Sequence, residues 1–181
     1  MAAGAALHTV DVQLADVDRH AYATLALRVA RHPSETAESV AARVLAYCLE
    51  YAEGLAFGPG LAEPDQPALA VRDLTGALRA WIDVGAPDAE RLHRASKAAP
   101  RVAVYTHKDP GPWLRALAGA RIHRADALEL YALDRDLVAA VAERLGRRVA
   151  LDVSVTARPL YVTVGDRTFE GDVERLAAGL A

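Results

Sequence analysis

Two aspartates ten residues apart, Asp73 and Asp83, each close an apolar run within the stretch from Val71 to Pro87. If the two runs are adjoining strands joined by the Leu-Thr-Gly turn between them, their carboxylates are placed to converge. Magnesium takes hard oxygen ligands from one or two carboxylates and fills its remaining positions with water and substrate phosphate oxygens, so such a pair is the minimal protein part of a phosphodiester-cleaving centre. A purely structural reading fits the same residues. Asp73 initiates the turn, and Asp83 ends a strand ahead of Pro87.

The groups that would complete such a centre lie on either side. Glu35 and Glu38 precede an apolar helical stripe and are further metal-ligand candidates, although carboxylates in the first turn of a helix are favoured by its dipole with or without a metal. After Asp83 comes an acid-free run from Arg91 to Arg101 that carries Arg91, His93, Arg94, Lys97 and Arg101. Arg91, Arg94, Lys97 and Arg101 form a local basic face suited to the phosphates of DNA or RNA. The alternative is a solvated helix face on which Glu90 pairs with Arg94 at i,i+4.

Composition sets the bounds within which these residues act. The chain has 181 residues, 52% apolar and 25% charged, with a net charge of −3. That length suits a single domain with a real core. The acidic balance offers no bulk attraction to nucleic acid, so any such binding is local. No apolar run reaches the roughly 20 residues needed to span a bilayer, and the first residues lack the basic-then-apolar order of a secretory signal, which predicts a cytoplasmic protein without membrane contact. Cys48, the single cysteine, falls within the helical stripe and reads as a buried thiol, which removes cysteine-based zinc sites. The six histidines show no paired ligand spacing.

The elements that must carry these groups follow from periodicity. Val10, Val12 and Leu14 alternate with polar or small residues, and Tyr22 to Ala30 can return beside them as a hairpin. Val40, Val44, Tyr47, Cys48 and Tyr51 mark one face of a helix that ends at Gly54. After an irregular loop from Gly58 to Pro67 come the acid-bearing strands, a helix opened by Pro87 and Asp88 and stopped at Pro100, and a buried strand from Val102 to Thr106. Helix 113–120, strand 128–133 and helix 134–145 follow, with strand–helix–strand spacing that implies parallel crossovers. Two late strands, 149–156 and 160–164, and a short C-terminal helix near 173–176 complete a single α/β domain, 1–181, with one mixed central sheet flanked by helices. Phosphate-binding glycine loops, dinucleotide fingerprints and serine-esterase elbows are missing.

Arg-His-Pro-Ser-Glu-Thr at 31–36, Glu38, Arg43, Leu-Ala-Tyr at 45–47, Asp-Leu-Thr-Gly at 73–76, Trp-Ile-Asp-Val-Gly-Ala-Pro-Asp at 81–88, Arg-Ala-Ser at 94–96 and Val-Ala-Val-Tyr at 102–105 together resemble the YaeQ family over nearly the whole chain. The resemblance implies a compact α/β fold similar to the PD-(D/E)XK nucleases. It also implies a magnesium site, with manganese as a substitute, at Asp73, Asp83 and either Glu35 or Glu38, and no cofactor needed for folding. The acid-x-Lys pattern of those nucleases is broken, because Asp83 is followed by Val84 and Gly85. Lys97 or Arg94, one helix later, would have to supply the missing cation. Two functions are therefore expected: a metal-dependent nuclease with a variant site, or a catalytically inactive relative that binds nucleic acid or a protein partner. The oligomeric state is not encoded in any of these features.

Overall fold

In a computed structural model the described residues are 5–60, 63–157 and 159–176. They divide into two compact units. Among these residues, the first unit is formed by those from 5 to 51 and from 133 to 173, and the second by those from 52 to 132 and from 174 to 176. The expected α/β class and mixed strand sense hold, with the strands distributed over two sheets, one of five strands and one of six. None of the described helices is long and apolar enough to cross a membrane.

The first unit begins with the expected hairpin, β1 (Ala6–Asp16) and β2 (Ala21–Arg31), paired antiparallel along their full length. Alternation places Val10, Val12, Leu14 and Asp16 on the buried side of β1. Helix α1 (Ala37–Glu50) starts at Thr36, whose hydroxyl accepts from the Ser39 amide, and buries Val40, Val44, Leu45 and Cys48. Burial pushes the Cys48 thiol up to about 12, so it stays protonated and packs as a small apolar group. Arg19 closes the other end of the helix. Its guanidinium donates to the Cys48 and Tyr51 carbonyls at 3.2 and 3.1 Å while its Nε pairs with buried Asp16 at 2.7 Å, placing a cation at the negative end of the dipole.

The rest of that unit comes from the C-terminal part of the chain. Helix α4 (Arg135–Ala142) lies against α1, and β8 (Arg148–Val155), β9 (Leu160–Val164) and β10 (Arg167–Gly171) extend the sheet in the order β10-β9-β8-β1-β2. β8 pairs in parallel with β1. Gly171 is required where β10 meets α4, because a Cβ there would lie 2.6 Å from that of Asp134.

The Arg-His-Pro-Ser-Glu-Thr signature is the joint between β2 and α1. Both carboxylate oxygens of Glu35 accept from Arg43, at 2.9 Å each, and the same carboxylate takes the Ser39 hydroxyl at 3.0 Å and the His32 amide at 3.3 Å. Arg43 also donates to the Ala30 carbonyl, and Arg31 to the Glu35 carbonyl. The Glu35 and Arg43 side chains are 9% and 7% exposed, so each charge depends on the other.

The second unit holds β3 (Leu55–Phe57), β4 (Leu69–Arg72), β5 (Leu78–Val84), α2 (Ala89–Ala98), β6 (Arg101–Thr106), α3 (Pro110–Leu117), β7 (Glu129–Leu133) and β11 (Val173–Arg175), with the sheet order β11-β7-β6-β5-β4-β3. The expected parallel crossovers place β5, β6 and β7 side by side in parallel, whereas β3, β4 and β5 run antiparallel. Trp81, Val102, Val104 and Leu130 meet Leu92, Ala95, Trp113 and Leu117 of the covering helices. The C-terminal segment differs from the helix expected near 173–176. It is a strand, and the Leu176 amide just beyond it donates to the Leu130 carbonyl of β7, a long-range pairing that local periodicity does not carry.

Removing one partner of the Glu35–Arg43 pair strands a buried charge at a cost of about 3 kcal/mol, equivalent to a drop of roughly 5–10 °C in melting temperature. Glu35→Ala is expected to show that loss in thermal denaturation. Glu35→Ala combined with Arg43→Met should recover most of it, and a double variant as unstable as the single would contradict the coupling.

Candidate functional site

Asp73 and Asp83 are not brought together. In a hairpin the end of one strand adjoins the start of the next, so acids that close consecutive antiparallel strands lie at opposite ends. The observed register bears this out: Arg72 is opposite Leu78 and Leu69 opposite Ile82, and the Asp73 amide donates to the Ala77 carbonyl at 3.0 Å. From Ala77 to Asp83 the strand advances roughly 20 Å at about 3.3 Å per residue. The carboxylates could share one ion only if the strands ran parallel.

Each aspartate has its own structural role. Asp73 is exposed, and one of its oxygens accepts from the Thr75 hydroxyl at 2.6 Å, the Thr75 amide at 2.9 Å and the Ala77 amide at 3.1 Å. The Thr75 hydroxyl holds its carboxyl below the usual carboxylate range, with the two amides and Arg79 acting in the same direction. This is a turn-initiating aspartate of the ordinary kind. Gly76 completes the turn at φ 84°, a region open to glycine.

Asp83 is 2% exposed. Arg91, from the first turn of α2, forks onto it, with Nε to Oδ2 at 2.7 Å and Nη2 to Oδ1 at 2.8 Å, and the Ala68 amide adds a third donor at 3.3 Å. Nη1 and Nη2 also donate to the Pro64 and Gln66 carbonyls, respectively. The hydrogen bonds that Arg91 donates to Asp83 raise the Arg91 pKa beyond its ordinary value, which keeps the cation permanently in place. A magnesium ion here would have to displace this fork. The residue at the nuclease lysine position is excluded by the backbone as well, since Gly85 sits at φ 110° with its amide on the Tyr105 carbonyl at 2.9 Å, a conformation that strains any side-chain-bearing residue.

The other sequence-derived ligands do not complete a centre. Glu35 is consumed by Arg43, and Glu38 stands exposed in the first turn of α1. Both belong to the first unit, Asp73 and Asp83 to the second. Among the described residues no three histidine, cysteine, aspartate or glutamate side chains are placed to hold a metal ion. The residues present therefore do not fit the magnesium or manganese that the nuclease resemblance implies.

Of the four cations expected on one basic face, two are taken up in ion pairs and two are exposed. Arg91 is internal to the Asp83 pair, and Arg101 is held by Glu129 at 2.6 Å. Arg94 and Lys97 remain exposed on α2, with Arg94 paired to the exposed Asp65 at 3.1 Å. The tertiary structure adds a segment that linear reading did not connect, Arg121 to Arg124. The His123 amide donates to His93 Nδ1 at 3.1 Å, and Arg124 donates to the Ser96 and Ala99 carbonyls at 2.6 and 2.8 Å. Those acceptors are neutral, so Arg124 keeps its charge while capping α2. A second acid-free cluster in the sequence was the available signal.

Beside this face lies a cavity of about 310 Å³ lined by Pro64, Asp65, Trp81, Arg91, Arg94 and Ala98. Arg91 packs over the Trp81 ring, 5.4 Å from its centroid. Trp81 is 5% exposed, and its Nε1 is buried without a hydrogen-bond partner among the described residues. Such an orphaned donor costs about 1–3 kcal/mol.

Because Asp73 and Asp83 lie at opposite ends of the hairpin and Asp83 is paired with Arg91, millimolar magnesium or manganese is expected to leave the melting temperature unchanged. Asp83→Ala should lower it by about 3 kcal/mol in unfolding free energy, through the stranded Arg91. A metal-induced rise that disappears in Asp83→Asn would show that the ion displaces the fork.

Residues 1–173 match the family model described as "YaeQ protein". The chain is 32% identical over 158 residues to the YaeQ protein of Escherichia coli (strain K12), which covers 86% of each chain, and 31% identical over 165 residues to that of Salmonella typhi, which covers 90% of this chain and 91% of the other. Among solved structures, the YaeQ protein from Pseudomonas syringae superimposes with a TM-score of 0.86 at 29% identity over 98% of both chains, and that from Xanthomonas axonopodis pv. citri with 0.84 at 27% identity over 94% of this chain and 97% of the other. The fold is thus shared with these solved structures over nearly its whole length, and the chain belongs to the YaeQ family.

Proposed function

We propose that this protein acts in the cytoplasm as a non-catalytic binding module that engages the phosphate backbone of nucleic acid through α2 and the segment docked on its C-terminal end. One observation carries the reading: Arg94 and Lys97 of α2 and Arg121 and Arg124 of the adjoining segment lie on two pieces of chain held together by the His93–His123 and Arg124–Ser96 hydrogen bonds, whereas Asp73 and Asp83 are held apart. Phosphate contacts need cations and little else, and they supply affinity without sequence preference. A net charge of −3 confines this attraction to the patch.

Cleavage is the less favoured reading, because the ligand set it needs at Asp73 and Asp83 is dispersed and Asp83 is neutralised internally. Without an ion to activate water and neutralise the leaving group, the two carboxylates repel a phosphodiester rather than hydrolyse it.

Fluorescence anisotropy with single- and double-stranded oligonucleotides at low salt is expected to show binding that weakens steeply as salt rises. Arg94→Glu with Lys97→Glu should lower affinity by at least about tenfold and flatten the logarithmic salt dependence by about 0.9 per lost contact. Unchanged binding by this double variant would overturn the assignment. Nucleic-acid cleavage in magnesium that is lost in Asp83→Asn would restore the nuclease instead.

A further inference from the structure

We infer that the open edge of β2 is a dimerisation surface, on which a second copy of this chain lays its own β2 antiparallel about a two-fold axis at Leu25. β2 is the outer strand of the five-stranded sheet, paired on one side only, with β1. The inference does not rest on the phosphate-binding reading. The direction of the β2 backbone groups follows from β1: the Thr9 amide donates to the Arg147 carbonyl at 2.8 Å, so Thr9 turns toward β8 and its hairpin partner Arg28 turns outward. Alternation then directs the amides and carbonyls of Tyr22, Thr24, Ala26, Arg28 and Ala30 away from the sheet. The Ala30 carbonyl is already taken by Arg43 at 2.6 Å. From Tyr22 to Arg28, no hydrogen bond from the other described residues reaches these outward groups.

Proteins that stay monomeric blunt an edge of this length with lysine, proline, a bulge or an inward charge. Residues 22–28 carry none of these: the register with β1 is unbroken, and the one charge, Arg28, is exposed. The open stretch also selects its occupant. Its midpoint is Leu25, and a two-fold axis there sets Tyr22 opposite Arg28 of the second copy and Thr24 opposite Ala26, hydrogen-bonded pairs that use every open group. An axis at Ala26 would bring Tyr22 to Ala30, whose carbonyl is occupied, and one at Thr24 would bring Arg28 to His20, which sits in the turn at φ 55°. On the solvent face the Leu25 axis places the Arg28 guanidinium against a Tyr22 ring that is 62% exposed in the single chain. The two Arg28 charges stay roughly 20 Å apart at about 3.3 Å per residue. On the other face, half-buried Leu25 meets its own copy.

One strand per copy makes a small interface, and interfaces below roughly 1,200 Å² associate weakly. Sedimentation velocity of the intact protein from micromolar to millimolar concentration is therefore expected to show a reversible monomer–dimer equilibrium. Ala26→Pro removes an outward amide that the hairpin does not use, so it should weaken the dimer by at least about tenfold while thermal denaturation stays cooperative. Arg28→Ala should weaken it several-fold. Cysteine substitution reads the position of the axis. At a non-hydrogen-bonded pair the Cα atoms lie about 4.5 Å apart, within disulfide reach, so Leu25→Cys should cross-link to its own copy under mild oxidation. Ala23→Cys, which faces Leu27 of the second copy, should not, and neither should the wild type, whose Cys48 is buried. A monomer at every concentration would overturn the assignment and leave the edge to an extended peptide of another protein. A dimer indifferent to Ala26→Pro, or cross-linking by Ala23→Cys as efficient as by Leu25→Cys, would overturn it equally.

Discussion

A carboxylate buried on a central strand has to be paired, and in the second unit that constraint organises everything around Asp83. The desolvation penalty of an ionised group in an apolar layer amounts to several kcal/mol, which a bidentate arginine offsets when the geometry is good and the other donors and acceptors are filled. Arg91 meets both conditions. It sits in the first turn of α2, where Asp88 caps the helix by accepting its amide at 2.8 Å. Its outer hydrogens bind the loop carbonyls at 64 and 66. One ion pair therefore fastens strand, helix and loop, and the cavity over Trp81 is the space those three leave between them.

The same constraint acts in the first unit with the order of charges exchanged. There the carboxylate of Glu35 comes from the joint between strand and helix, and the arginine, Arg43, from the helix interior. The most distinctive hexapeptide of the chain is spent on this network. Arg31 and His32 bond Glu35, Ser39 bonds it from the helix, and Thr36 supplies the cap. A motif that resembles a ligand set in linear form is, in three dimensions, the fastening of α1 to the hairpin.

This distribution of charge gives the acids at 73 and 83 structural roles that need no metal. The positions carry carboxylates because the fold uses them, as a turn initiator at 73 and as the inner half of an ion pair at 83. Gly85, at a φ that disfavours other residues, shows that the strand end is shaped around something other than a lysine. Arg94 and Lys97 on α2 and Arg121 and Arg124 in the segment beside it stand exposed, outside these internal pairs.

The sequence by itself determined the α/β class, the N-terminal hairpin, the existence of α1 and α2, the buried thiol of Cys48, the parallel strands at 102–106 and 128–133 and the family. These rest on periodicity, caps and short motifs, which are local. It also contained the answer to the aspartate question, since a turn as short as Leu-Thr-Gly permits only antiparallel pairing and so sends Asp73 and Asp83 to opposite ends. Tertiary structure alone decided which arginine each carboxylate would take, that β8 would join β1 in a second sheet, that 173–175 would form an edge strand, and that Arg121 to Arg124 would dock on α2. Each of these is a pairing between distant parts of the chain, settled by which partner best relieves a buried charge or an open backbone group, and no window of neighbouring residues contains that comparison.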